Sequence, residues 1–306
     1  MTVPVTVVIA TRNRAAELCR TLGRLAALSE APDVIVVDNG SADGTATAVR
    51  DSYPAVQVVT LPGNRGAWAR NVGVARARTR YVAFSDDDSW WEPGSLRLAC
   101  DLLDAYPGIG LIVGRILVGE HRADDPLNAV LAASPLPRDG LPGPRVLGFL
   151  GCSAVARRSA YLSVGGYSAL FGIGGEEELL ALDLAAAGWA AVYVDRMIVR
   201  HIPSTARDTA RRRAVEQRNA VLVQWLRRPA ARAAVGTALL AARALRDPAA
   251  RSALAALLRM LPRALPGRRR VPAGLEAELR LLEQAGRRAQ PGGTADTHPL
   301  RRILRG

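Results

Sequence analysis

The sequence predicts an α/β fold: a mostly parallel sheet with helices on both faces, followed by an arginine-rich helical extension. Three observations carry this reading. Short β-branched runs alternate with segments of helical period through the first hundred residues, the pattern of strand–helix–strand units. Carboxylates stand where those runs end, at Asp38 and again at Asp86, Asp87 and Asp88. After Pro203 the composition turns to Ala, Leu and Arg, with apolar positions at helical spacing and no strand-like run.

The elements follow in order. Residues 5–10 form a continuous β-branched run suited to a strand buried on both faces. Residues 15–28 place apolar side chains at helical spacing. A second buried strand at 34–37 ends in Asp38-Asn39-Gly40-Ser41, a loop signature, and Asp43 is placed to cap a helix running to about residue 51. A third strand at 56–61 leads through Pro62-Gly63-Asn64-Arg65-Gly66 into a helix over 67–77, where Trp68 is expected to pack on the sheet. A fourth strand, 81–84, runs directly into Ser85-Asp86-Asp87-Asp88, and Pro93 suits the first turn of a helix to about residue 106. Residues 109–118 read as a fifth strand, and 119–145, rich in Pro, Asp and Gly, as a long loop. A strand over 146–156, a short helix over 158–164, a helix over 177–187 stopped by Gly188, and a strand over 189–199 ending near His201 complete the first unit. Pro229, Pro248, Pro262 and Pro272 divide the remainder into helices near 205–227, 229–246, 248–261 and 273–289. A tail from Pro291 lacks pattern and is expected to be disordered. The expected domains are therefore 1–203, with halves at about 1–118 and 119–203, and 204–306.

Composition narrows the function classes. With 306 residues, 49% of them apolar, the chain can bury a substantial core. No apolar stretch reaches the roughly 18 residues of a membrane span; the nearest, 233–242, is bracketed by Arg232 and Arg243. The opening MTVPVTVVIAT has no basic segment before its apolar run and reads as a strand, not a secretion signal. Cys19, Cys100 and Cys152 are scattered without metal-ligand spacing, so a reduced, cytoplasmic setting is expected. The net charge of +13 is uneven: residues 1–199 carry 18 Arg against 21 acidic residues, and 200–306 carry 23 against 7. That excess reads either as a solvated surface shaped by compositional bias or as a face for a phosphate-rich partner, peripheral contact with an anionic membrane being one form. Nucleic acid is not expected, because aromatic content is 5% and no zinc, RRM-like or helix-turn-helix pattern is present.

The Asp86-Asp87-Asp88 run is the strongest local signal. Adjacent carboxylates repel unless a cation binds them, and hard oxygen ligands on a divalent ion that also contacts phosphate are the usual remedy. In an extended segment Asp86 and Asp88 point one way and Asp87 the other, which makes the first and third the pair at one metal. An exposed acidic turn capping a helix is the competing reading. Ligands of such sheets bind beyond the carboxyl ends of the strands, where this run and Asp38 both stand.

Taken together, VTVVIATRNR, VIVVDNGSADGT, LPGNRGAWARNVGVARA and YVAFSDDDSW resemble the nucleotide-binding half of family 2 glycosyltransferases with the GT-A fold. The likeness continues through Gly165-Gly166-Tyr167 and the helix opening at Glu176-Glu177, and covers about residues 3–203. It implies a nucleotide-sugar donor held in the half 1–118, and an acceptor hydroxyl in the half 119–203. The motifs leave open whether that acceptor is cell-envelope, lipid-linked or of secondary metabolism. By resemblance, Ala10 and Thr11 frame the base through their backbone with Arg14 close by, and Asp38 accepts hydrogen bonds from base or ribose, a turn-forming role being its alternative. Asn64 and Arg70 contact the donor. Asp86 and Asp88 bind Mn2+ or Mg2+ bridging the donor diphosphate, beside Asp87, and His201 completes the metal site in some members. The catalytic base falls on Glu177, with Glu176 the runner-up, where members usually carry Glu-Asp; helix capping is the alternative for both. An inactive nucleotide-sugar-binding member of the same fold is a rival reading. A sugar nucleotidyltransferase fits less well, because the first loop, Ala10-Thr11-Arg12-Asn13-Arg14, lacks glycine.

Overall fold

The computed structural model describes residues 3–203 and 209–288; the tail from Pro291 and the expected helix start at 205 lie outside the described residues. The chain runs β1 (Val5–Thr11), α1 (Ala15–Ala26), β2 (Asp33–Asp38), α2 (Thr45–Ser52), β3 (Gln57–Thr60), α3 (Ala69–Arg76) and β4 (Tyr81–Ser85). It continues through β5 (Ser89–Trp91), α4 (Ser95–Ala105), β6 (Ile109–Val118), β7 (Ala123–Asp124), α5 (Pro126–Ala132), β8 (Ala154–Arg157), α6 (Arg158–Ser163), α7 (Glu176–Ala186) and β9 (Ala190–His201). The extension is α8 (Thr209–Arg227), α9 (Ala230–Ala244), α10 (Pro248–Ala264) and α11 (Ala273–Arg288).

One sheet takes the order β3-β2-β1-β4-β8-β6-β9-β5, with β7 beside β6. The first four strands pair in parallel, as their crossover helices require. Beyond β4 the sheet becomes mixed: β8 is antiparallel to both neighbours, while β6 and β9 are parallel. Alternate side chains of β1 enter opposite cores, Val8 on one face and Val5, Val7 and Ile9 on the other. This is why the run is continuously apolar.

The structure corrects the sequence reading in several places. The expected loop 119–145 contains β7 and α5, and the Asp125 carboxylate caps α5 by accepting Leu127 N–H at 2.9 Å, with Pro126 in the first turn. The strand expected over 146–156 narrows to β8, preceded by a 3-10 turn at Gly151–Ser153. β5 was not anticipated. Pro93 precedes the N-cap of α4, Gly94, instead of entering the helix. Pro262 lies inside α10, close enough to its end for the helix to continue two residues further.

The extension is not a separate lobe. Leu222, Leu226, Leu240, Leu257 and Leu275 share a buried cluster with Phe171, Leu179 and Leu182 of the first unit. Arg227 of α8 grips Asp183 of α7 through two nitrogens at 2.5 and 2.8 Å. Among the described residues no helix is long and apolar enough to cross a membrane.

Candidate active site

Because β1, β2 and β4 run in parallel, their carboxyl ends share one edge, and the Asp86–Asp88 run leaves that edge from β4. β5 then returns antiparallel along β9, pairing Ser89 with His201. Ile202 N–H donates to the Asp88 carbonyl at 2.9 Å and locks this register. The pairing sets His201 beside Asp88, more than a hundred residues away in sequence. Asp86, Asp88 and His201 each offer a ligand atom, all within 4.8 Å of one another. Two carboxylates and an imidazole are a donor set that suits Mn2+ and, with fewer nitrogens, Mg2+. The residues fit a divalent cation.

Asp88 is buried and already oriented: Arg14 Nη2 lies 3.0 Å from one oxygen and His201 Nε2 3.4 Å from the other. The run is not the extended segment expected: Ser89 N–H donates to the Asp86 carbonyl at 3.2 Å and closes a turn, so Asp87 lines the same cleft. Its carboxylate accepts from the Thr11 hydroxyl at 2.9 Å and pairs with Arg14 Nε at 3.0 Å. Burial pushes the Asp87 carboxyl up to about 7 even though Arg14 works against the shift. Asp87 and Thr11 therefore tie β4 to β1, and Arg14 braces the acidic run from behind.

Arg70, on the first turn of α3, forms an ion pair with Asp86 and lies 5.7 Å from the centroid of the Tyr167 ring. Burial opposes its charge, but Asp86, Glu177 and Glu176 hold the guanidinium above its ordinary value. Glu176 and Glu177 open α7, Glu176 buried and Glu177 half-buried, and both line the cleft. Gly151 lies against this helix start: a Cβ there would come within 3.3 Å of Glu177 Oε1. Burial raises both carboxyls; for Glu177 the nearby Arg70 is the main opposing influence. One oxygen of Glu176 is buried without a hydrogen-bond partner. Gly175 caps α7 at φ +86°, a conformation that favours glycine, and so aims the helix start at the cleft.

The cleft measures about 2240 Å³. Ala10, Thr11, Arg14, Asn64, Arg70, Asp86, Asp87, Asp88, Glu176, Glu177 and His201 all line it. Asp38 is not among the lining residues: it is buried, and its carboxylate accepts Ser41 N–H at 3.0 Å in the turn. Its neighbour Asn39 lines the cleft and spans β2 to the next loop, donating to the Gly66 carbonyl and accepting Arg65 N–H. Asn64 accepts Gly66 N–H at 2.8 Å. Trp68, expected on the sheet, is half-buried and lines the cleft. Sequence reasoning missed Asn39, Gly151 and Asn219. Asn219 of α8 is fully buried and donates to the carbonyls of Ile173, at 3.1 Å, and Gly174. Only the Asp-Asn dipeptide after β2 hinted at any of them.

The family model described as glycosyl transferase family 2 matches residues 6–165, more than half of the chain. The chain belongs to that family. It is a nucleotide-sugar-dependent glycosyltransferase. Among its relatives, the N-acetylglucosaminyl-diphospho-decaprenol L-rhamnosyltransferase of Mycobacterium tuberculosis is 29% identical over 248 residues, covering 69% of this chain and 80% of the relative. The pre-mycofactocin glycosyltransferase of the same organism is 33% identical over 224 residues, covering 69% of this chain and 45% of that one. Among solved structures, the mannosyltransferase PcManGT from Pyrobaculum calidifontis in complex with GDP-Man and Mn2+ has a TM-score of 0.58 at 21% identity, covering 96% of this chain and 77% of that one. S. aureus TarS has a TM-score of 0.55 at 18% identity; the family 2 chain aligns over 74% of its own length and spans 40% of TarS. These likenesses show the fold, GT-A.

Proposed function

We propose that this glycosyltransferase is metal-dependent and inverting, moving a sugar from a nucleoside-diphosphate donor to an acceptor hydroxyl. The observation that carries the proposal is the Asp86, Asp88 and His201 cluster in the same cleft as Glu176 and Glu177. A divalent cation there, Mn2+ or Mg2+, would supply Lewis-acid stabilisation of the departing nucleoside diphosphate. That a fold neighbour was solved with GDP-Man and Mn2+ supports the choice of ligands.

The protein's own residues do the rest. Asn39, Asn64 and the Ala10–Thr11 backbone offer polar contacts at the strand ends where a nucleoside would lie. Arg14 fixes the rotamer of Asp88 and Arg70 that of Asp86. Glu177 takes the proton from the acceptor hydroxyl as that oxygen bonds to the anomeric carbon and the bond to the diphosphate breaks. Attack from the face opposite the leaving group inverts the anomeric centre in one displacement.

A screen of nucleotide sugars for cation-dependent thermal stabilisation identifies the donor, and Asp88→Asn then tests the site. The variant keeps the side chain's shape, so folding should be retained while cation-dependent release of nucleoside diphosphate is lost. Undiminished turnover in that variant, or full activity in EDTA, would refute metal dependence. A product with the donor's anomeric configuration would refute inversion.

A further inference from the structure

The cleft has a second wall that the reaction above does not use. α8 lines it with Arg213 and Arg218, α9 with Arg243, and the turn after α9 with Arg246. Among the described residues, none of these four is within 4.0 Å of a carboxylate. The acids nearby make their hydrogen bonds elsewhere, although Asp247 also feels the charge of Arg213. Glu216 pairs with Arg212 at 2.6 Å, and Asp247 caps α10 through Ala249 N–H while accepting from Gln217. Arg218 is half-buried, donates to the Asn219 amide oxygen, and is pulled below its ordinary value by burial. A desolvated guanidinium without a counter-ion favours an anionic ligand.

Between the arginines the wall is apolar. Leu239, 60% exposed, and Ala242 line the cleft from α9, and Ile173, 53% exposed, lines it from the loop before α7. Asn219 ties that loop to α8 next to Arg218. The wall therefore adjoins the segment that delivers Glu176 and Glu177, whereas the donor's diphosphate is assigned to the cation cluster.

We propose that the α8–α9 wall is the acceptor subsite, and that it takes an amphiphile bearing a phosphate or diphosphate beside an apolar chain. The arginines engage the phosphate oxygens, and Leu239, Ala242 and Ile173 cover the chain. This inference rests on the transferase reading for the direction of transfer, and its test is kept independent of catalysis.

Farnesyl diphosphate, inorganic pyrophosphate and farnesol are titrated into the full chain in EDTA, where a cation-dependent donor site contributes nothing. Farnesyl diphosphate should bind at least about tenfold more tightly than either fragment, since each contributes only part of the contact. The triple variant Arg218→Gln, Arg243→Gln, Arg246→Gln should lose about tenfold in that affinity while keeping its melting temperature and its Mn2+ affinity. Leu239→Ser, at an exposed position, should reduce the advantage of farnesyl diphosphate over pyrophosphate. Equal affinities for farnesyl diphosphate and pyrophosphate, or unchanged binding in the triple variant, would overturn the proposal. Sedimentation with phosphatidylglycerol vesicles separates a bilayer surface from a bound acceptor. Vesicle binding that farnesyl diphosphate fails to displace overturns the subsite by assigning the arginines to the bilayer; its absence, or its reversal by farnesyl diphosphate, supports the subsite. Loss of Mn2+ binding in the parent chain would count against the metal reading alone.

Discussion

Glu177 must be ionised to accept a proton, yet it is half-buried at a helix start beside a buried second carboxyl. Burial raises its pKa above the ordinary 4.5, and Arg70 is the main influence holding it down. The base is protonated, and inactive, below that raised value. The acid limb of kcat/KM should therefore lie above the ordinary glutamate range, with activity rising as pH increases through it. Arg70→Gln should move the limb to still higher pH, which a pH–rate profile of the two proteins would read; coincident limbs would remove Arg70 from this role. Glu177→Gln should lose about 10²–10⁴-fold in turnover while retaining donor binding, and normal turnover would pass the assignment to Glu176. The same residues show what could be read in advance. Strand alternation singles out Asp86 and Asp88, which the structure brings together with His201, but the geometry is that of a turn closed by Ser89 N–H on the Asp86 carbonyl, with Asp87 held by Thr11 and Arg14. Asp38 was less legible, because a strand-end carboxylate suits both a ligand and a turn, and here its carboxylate accepts Ser41 N–H in the turn.

At the scale of elements, the site depends on two short connections. β5 has three residues and little periodicity, so nothing in its sequence separates it from the turn that precedes it. Its pairing with β9 is nonetheless what brings His201 to Asp88. The loop before α7 is the second connection. Its Gly174 and Ile173 carbonyls are held by Asn219, so α8 sets where Glu176 and Glu177 stand. Asn219→Ala leaves the buried Gly174 carbonyl and the part-buried Ile173 carbonyl without their donor, at a cost of about 1–3 kcal/mol. The variant should melt lower and show a reduced kcat with little change in cation affinity; a cation affinity that falls in step with kcat would mean a general loss of structure. The donor half was legible because each strand and helix there carries its own period. The acceptor half was less so. Residues 146–153 are as apolar as the β8 strand that follows them, but Val146 N–H goes to the Ala191 carbonyl of β9 and Gly151–Ser153 form a 3-10 turn, a choice made by tertiary contacts. α5 could have been found, since Asp125 and Pro126 together are a helix-start signal.

At the scale of the whole molecule, the extension completes the fold instead of decorating it. Among the described residues most of the buried cluster that takes in Leu179 and Leu182 comes from the extension, Leu222 and Leu226 included, so a chain ending at residue 203 would expose that face and should fail to give a cooperative thermal transition. The basic excess of the last third is partly spent inside this junction, where Arg227 pairs with Asp183 and Arg228 with Glu276 and Glu283. Glu178 stands at the same junction and is the exception. It is buried, one of its oxygens has no hydrogen-bond partner, and Arg228, the nearby cation, is already balanced by two other glutamates. Burial pushes the Glu178 carboxyl up to about 8, against an ordinary 4.5. The folded chain thus binds a proton here that the unfolded chain releases above the ordinary value. The stability this contributes is complete below about pH 4.5, is lost progressively as pH rises toward 8, and is flat beyond. Glu178→Gln keeps the shape and removes the titration. Its melting temperature should match the parent near pH 4 and exceed it near pH 9, by a free energy on the order of 5 kcal/mol. Parallel melting curves for the two proteins across that range would show that Arg228 or entering water keeps the carboxylate ionised in the folded state.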